Sequence, residues 1–245
     1  MKILFISLGC DKNLADSEEM LGLLTGNGHE IVDSEEEADA IVINTCCFIH
    51  DAKEESVNTI LEMAEYKKTG TCKILIVTGC MAQRYKEEIT KEIPEVDAVL
   101  GTTSYGDIVK ALNEAEAGHV FQEFKDINAL PEDSGRRVIT TGGHFGYLKI
   151  AEGCDKHCTY CIIPSLRGKF RSVPEERLLK QAEYMASQGV RELILVAQET
   201  TVYGTDLYGK KTMHILLKKL CQIKGIRWIR VLYCYPEEID DELIQ

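Results

Sequence analysis

Three thiols fall within one short run of this 245-residue chain, Glu152-Gly153-Cys154-Asp155-Lys156-His157-Cys158-Thr159-Tyr160-Cys161. The C-x3-C-x2-C spacing follows directly on Tyr147-Leu148-Lys149-Ile150-Ala151, an apolar stretch that reads as a strand. The thiols therefore leave a strand end on a loop, and a loop lets all three sulfurs face one compact centre. A 4Fe-4S cube offers four irons, so three thiolates leave one iron open to a further ligand. Zinc would want a fourth protein ligand, and His157 lies between two of the cysteines, where a short loop makes joint coordination awkward. A ferredoxin would space its thiols C-x2-C-x2-C and add a fourth. The spacing favours the cube.

The chain before this run alternates short β-rich stretches with helical ones. Strands are expected at Lys2–Leu8, Ala40–Asn44, Lys73–Thr78 and Ala98–Leu100, with Glu30–Val32 as an edge strand. Helices are expected at Asp16–Leu24, Ala52–Tyr66, Arg84–Glu92 and Tyr105–Ala115. Alternating βα units imply α/β architecture, a doubly wound parallel sheet covered on both faces. Cys10, Cys46 and Cys80 each lie just past a strand end, in Leu8-Gly9-Cys10, Asn44-Thr45-Cys46 and Thr78-Gly79-Cys80. Parallel strands end on one edge, where ligands bind, so three thiols distant in sequence converge there. Each alone reads as a small buried hydrophobe; three at equivalent ends point to a second metal centre. Gly9 and Gly79 would let the backbone approach a bulky centre. Cys47 stays open as a substitute for Cys46, while Cys72, Cys221 and Cys234 read as structural.

Two sets of residues resemble one family. Leu8-Gly9-Cys10-Asp11-Lys12-Asn13-Leu14-Ala15-Asp16-Ser17-Glu18, with Asn44-Thr45-Cys46 and Thr78-Gly79-Cys80, is similar to the N-terminal domain of the methylthiotransferases. Ala151 through Cys161-Ile162-Ile163-Pro164-Ser165-Leu166-Arg167-Gly168 resembles their radical S-adenosylmethionine (SAM) core. Within the family, the residues around Asp11-Lys12-Asn13 and after Pro164 are most similar to the branch that modifies an aspartate of ribosomal protein S-twelve. The resemblance implies two 4Fe-4S clusters as cofactors, one on Cys154, Cys158 and Cys161 that binds SAM, and an auxiliary one on Cys10, Cys46 and Cys80 that carries sulfur. It implies transfer of a methylthio group to an aspartate β-carbon, with no acid–base residue as the catalyst, because a C–H bond without usable acidity is broken by a radical instead. It also implies an electron donor such as flavodoxin or ferredoxin, and it places Tyr160 beside the adenine of SAM. Transfer RNA adenosine is the alternative substrate, and an inactive iron–sulfur-binding fragment the alternative of another class.

Residues 1–124 are expected to form the N-terminal domain and 125–145 a linker, from the Pro, Gly and charge of Pro131-Glu132-Asp133-Ser134-Gly135-Arg136-Arg137. Residues 146–245 then form the first part of a radical SAM partial (βα) barrel: strands Leu148–Ala151, Glu192–Ala197 and Trp228–Leu232, helices Pro174–Gln188 and Met213–Ile223, and a further helix from Pro236. That is about three βα units where the family closes six and adds a β-rich domain, so a truncated chain is expected. Gln198 follows a strand end, where barrel active-site residues emerge, and is a candidate for holding SAM or substrate. Of Arg167, Lys169 and Arg171, two are expected on a solvated face. His157 reads as a polar loop residue and Glu35-Glu36-Glu37 as a solvated turn. The formal net charge of -12 disfavours nonspecific nucleic-acid binding and suits encounter with a basic partner. No apolar run is long enough to span a membrane, and the start lacks a signal-peptide pattern, so a cytoplasmic location is expected.

Overall fold

The computed structural model describes residues 1–132 and 135–245; Asp133 and Ser134 of the expected linker lie outside the described residues. The chain divides into two compact units, Met1–Val138 and Ile139–Gln245.

Unit 1 holds strands β1 (Lys2–Ser7), β2 (Glu30–Val32), β3 (Ala40–Thr45), β4 (Ile74–Gly79), β5 (Ala98–Leu100) and β6 (Phe121–Glu123), with helices α1 (Asp11–Gly26), α2 (His50–Thr69), α3 (Cys80–Tyr85), α4 (Glu87–Glu92) and α5 (Ile108–Glu116). The six strands form one sheet in the order β2-β1-β3-β4-β5-β6, and every neighbouring pair is parallel. The order reverses between β1 and β3, the topological switch point at which such sheets open a crevice beyond their carboxyl ends. Strands β3 and β4 are buried along their whole length, which explains their unbroken apolar runs. Ile3, Val42, Ile76 and Leu100 pack in one core with Met20 and Leu24 of α1 and Ile108 and Leu112 of α5.

Three features depart from expectation. Helix α1 starts at Asp11 rather than Asp16, with Cys10 as its N-cap. Its first turns bury polar side chains, among them Asn13, Asp16, Ser17 and Glu18, so apolar periodicity could not mark them. The helix expected over Arg84–Glu92 begins at Cys80 and breaks at Lys86, whose φ of 40° no helix tolerates. Strand β6, three residues at the sheet's edge, was not expected.

Unit 2 holds β7 (Phe145–Lys149), β8 (Ala151–Glu152), β9 (Arg171–Ser172), β10 (Glu192–Val196) and β11 (Trp228–Val231), with helices α6 (Ile163–Arg167), α7 (Glu175–Ser187), α8 (Thr205–Tyr208), α9 (Met213–Leu220) and α10 (Asp241–Ile244). Its parallel sheet runs β11-β10-β7, as expected of consecutive βα units. Leu178, Ala182 and Met185 form the buried stripe of α7, and Met213, Leu216 and Leu220 that of α9, at the three- and four-residue steps of an amphipathic helix. Strands β8 and β9 pair antiparallel, Ala151 with Ser172 and Glu152 with Arg171. This pair closes the base of the loop that carries Cys154, Cys158 and Cys161.

Candidate metal centres

In unit 1 the sheet register aligns the cysteine-bearing ends. Ser7 lies beside Asn44 and Asn44 beside Thr78; Thr45 lies beside Gly79, so Cys46 and Cys80 leave adjacent strands at the same level. Asn13 ties these ends together: its side-chain amide donates to the carbonyls of Leu8 (3.1 Å) and Thr45 (3.0 Å), and its Oδ1 lies 3.9 Å from Cys80 Sγ. From α2, Ser56 Oγ accepts from the backbone N–H of Cys46 (3.0 Å) and lies 2.8 Å from its carbonyl oxygen. Cys80 itself opens α3.

The two glycines have a role besides the one expected from sequence. Gly79 sits at φ 93°, ψ -157°, a region essentially closed to other residues. A Cβ there would fall on Asn44 Oδ1 and 2.5 Å from the Thr45 carbonyl oxygen, and one on Gly9 would come within 2.6 Å of Cys46 Cβ. They make room for the neighbouring strand end, not only for a bound group. Gly79→Ala is expected to destabilise unit 1 by about 1–3 kcal/mol from backbone strain alone, with the overlap adding to that. Urea denaturation of the purified variant reads it; an unchanged midpoint would show that the turn relaxes freely.

In unit 2, Gly153 brings the cysteine loop against the Gly168–Lys169 backbone, where a Cβ would overlap the Lys169 carbonyl oxygen. Cys154 N–H donates to the Gly168 carbonyl (3.1 Å), Phe170 N–H to Asp155 Oδ1 (3.1 Å) and Cys161 N–H to the Cys158 carbonyl (3.0 Å). Lys156 N–H points at Cys154 Sγ (3.4 Å). The Lys156 ammonium lies 3.3 Å from Glu238, 3.6 Å from Glu199 and 3.7 Å from Glu237, and 4.2 Å from the Tyr235 ring centre. Burial, with nearby Cys158 and Cys154, pushes the Tyr235 hydroxyl up. Burial also pushes up the Cys154 thiol, against the Lys156 N–H; a bound cation reverses that balance by deprotonating the sulfur.

Beneath the loop, Glu152 is fully buried. It meets Lys149 Nζ at 2.8 Å and Arg167 Nη1 at 3.1 Å, and accepts from Gln198 Nε2 at 3.0 Å. Burial alone would raise its carboxyl, but Arg167 and Lys149 outweigh it and hold the group well below the usual carboxylate range. The basic run is therefore not the expected solvated face. Arg167 and Arg171 are buried, Arg171 against the carbonyls of Arg167 and Lys169, and only Lys169 is exposed. His157 is exposed, and so is the ring of Tyr160, at 86%. Gln198 Oε1 is buried and has no hydrogen-bond partner among the described residues.

Whether these residues suit iron–sulfur clusters rests on their chemistry. None of the ten cysteines is joined in a disulfide. Among the described residues no group of three or more His, Cys, Asp or Glu side chains converges on a single ion. A cube differs from an ion in that each thiolate takes its own iron, so two thiol trios at closed loop and strand ends suit cubes, and the orphaned Gln198 oxygen suits a donor from a bound cofactor.

Comparison with known proteins gives the same division. Residues 2–101 match the profile described as uncharacterized protein family UPF0004, and residues 148–245 that of the radical SAM superfamily. A ribosomal protein uS12 methylthiotransferase RimO from Lachnoclostridium phytofermentans is 66% identical over 244 residues, and another from Clostridioides difficile 52% over 245. The chain thus joins a UPF0004 domain to a radical SAM domain and is similar over its whole length to methylthiotransferases. Each of these alignments covers 100% of the chain and 56% or 55% of the relative, so the chain spans about half the length of the curated methylthiotransferases it matches. The radical SAM methyltransferase TsrM from Kitasatospora setae, solved with cobalamin and a 4Fe-4S cluster bound, matches with a TM-score of 0.61 at 11% identity, covering 99% of this chain and 56% of that one. At that identity the likeness speaks for the α/β fold alone.

Proposed function

We propose that the chain is the cluster-bearing part of a methylthiotransferase that modifies an aspartate β-carbon of ribosomal protein uS12. The observation that carries this reading is the pair of thiol trios, each tied by hydrogen bonds to its own unit, in a chain similar over its whole length to proteins named for that activity. Cys154, Cys158 and Cys161 would hold the cluster that binds SAM, and Cys10, Cys46 and Cys80 the auxiliary one. When bound, these groups supply one-electron chemistry able to break a C–H bond of no usable acidity, together with the sulfur that replaces the hydrogen.

The chain's own residues hold and orient. Gln198 offers a buried acceptor, Oε1, to a donor on the cofactor, while its amide is fixed by Glu152. The exposed ring of Tyr160, between two of the cysteines, is free to cover an adenine face. Lys156 fastens the loop to Glu199 and Glu238 beyond the ends of β10 and β11. Residues 1–124 form the auxiliary-cluster domain in this reading, 125–145 the connection and 146–245 the SAM-binding part. An acidic chain of net charge -12 suits a basic ribosomal substrate, and a flavodoxin or ferredoxin would be its reductant, in the cytoplasm. Among the described residues no helix is long and apolar enough to cross a membrane.

Mass spectrometry of uS12 and of digested transfer RNA from a strain lacking the gene tests the substrate. The expected result is uS12 lacking the mass of one methylthio group, with nucleosides unchanged; loss from a nucleoside alone would overturn the assignment. After anaerobic reconstitution, Cys154→Ala, Cys158→Ala and Cys161→Ala are each expected to abolish reductive SAM cleavage. Cleavage that persists in all three would remove the SAM cluster from those residues.

A further inference from the structure

We infer that Asn13 is the positioning residue that sets the spacing of Cys10, Cys46 and Cys80, and so decides whether the auxiliary cluster can assemble. The inference rests on the reading that these three cysteines hold that cluster.

Asn13 is completely buried in the first turn of α1, three residues after Cys10. Its two amide protons have separate destinations: the Leu8 carbonyl, two residues before Cys10, and the Thr45 carbonyl, immediately before Cys46. Its oxygen faces Cys80 Sγ. One side chain thus touches the backbone or sulfur at all three cysteine-bearing strand ends. The orientation follows from chemistry, because a flipped amide would set its oxygen against two carbonyl oxygens. Asn13 is itself held from below. Its carbonyl accepts from Asn44 Nδ2 (2.9 Å) and from Ser17 Oγ (2.9 Å), and Asn44 Nδ2 also donates to Ser17 Oγ (2.9 Å). Ser7 Oγ joins at 2.7 Å from Ser17 Oγ. The network spans β1, α1 and β3, so the position of the amide is fixed by the same sheet that carries the thiols.

No other side chain of this size meets the requirement. Aspartate has the same shape but no proton to donate, and would press a carboxylate against two carbonyls. Alanine removes the link and takes one donor away from each of the two carbonyls.

The test is iron and sulfide content after anaerobic reconstitution of the chain, with far-UV circular dichroism on the same samples. Asn13→Asp and Asn13→Ala are expected to retain about half of the parent's iron, one cube of two. Their sheet and helix signal should be retained, and the remaining cluster should still change its electron paramagnetic resonance spectrum on adding SAM. Full iron in either folded variant overturns the inference. Loss of iron together with loss of the dichroism signal in both overturns it as well, since Asn13 would then matter only for folding. The Cys10→Ala/Cys46→Ala/Cys80→Ala chain separates the two readings. If it keeps full iron, the auxiliary-cluster assignment fails; if it falls to about half while the Asn13 variants do not, the positioning role alone fails.

Discussion

Replacing Glu152 by alanine is expected to cost unit 2 about 3–5 kcal/mol, the usual penalty for removing one partner of a buried ion pair. The carboxylate is shared by Lys149 and Arg167, whose side chains are themselves largely buried. Without it two buried cations lose their shared carboxylate in a low-dielectric interior and Gln198 Nε2 loses its acceptor. Glu152→Gln should be nearly as damaging, because it keeps the shape and loses the charge. Exchanging all three charged residues for apolar ones of similar volume should restore much of the loss, since the desolvation of the ions disappears with their attraction. The chain's single tryptophan, Trp228, lies on β11 in the parallel sheet of the same unit, so its fluorescence in a urea titration reports the unit that should weaken. The carboxyl also gives an acid dependence. Its folded-state value is depressed by Arg167 and Lys149, so its stabilisation is complete above the unfolded carboxylate value of about 4.3 and is lost as pH falls below it toward the depressed folded value. Unit 2 of the parent should hold its stability near neutrality and weaken only in acid, and Glu152→Gln should flatten that acid limb. A midpoint within about 0.5 kcal/mol of the parent would mean that Lys149 and Arg167 find water instead.

Glu152 also shows where sequence reading stops. The parallel sheet of unit 1 was legible because β3 and β4 are buried on both faces, and burial on both faces leaves an unbroken apolar run. The cysteines at strand ends were legible because a parallel sheet sends all its carboxyl ends to one edge. What was not legible depends on contacts between residues far apart in sequence. Asn13 reaches Thr45 and Cys80 across 32 and 67 residues, and Glu152 reaches Gln198 across 46. Nothing in the local pattern of either segment announces a partner, and a polar residue in a helix reads by default as solvent-facing. The same default misplaced the start of α1 and put two of Arg167, Lys169 and Arg171 on a solvated face, where only Lys169 lies. One signal was available: the run Asp11-Lys12-Asn13 beside a thiol, with Ser17 one helical turn further on, puts Asn13 and Ser17 on one face of a helix. The break of α3 from α4 at Lys86 had no signal of this kind.

Arg137 is the second residue whose loss should be severe. It lies in the stretch that composition marks as a connecting segment, yet its Nε and Nη2 donate to Glu18 Oε2 at 2.8 and 2.6 Å, and both side chains are buried. The next residue, Val138, donates its N–H to the Glu18 carbonyl on α1 (3.0 Å). Gly22, one turn along that helix, leaves the space that the Arg136 backbone occupies; a Cβ there would come within 2.6 Å of the Arg136 carbonyl carbon. Arg136, Arg137 and Val138 thus lie against α1, the helix that also carries Asn13, with the Arg137 side chain buried there. Arg137→Ala should lower the stability of unit 1 by about 3–5 kcal/mol, because it leaves the Glu18 carboxylate buried with its guanidinium gone. Glu18→Ala should cost a similar amount, and the double variant less than the sum, since the two residues act as one pair. Added salt should change little, as buried pairs are poorly screened. Amide hydrogen exchange along α1 is the decisive measurement. Protection of Asn13 through Gly22 should fall in Arg137→Ala, whereas unchanged protection would make the segment a tether that lies against the helix without holding it.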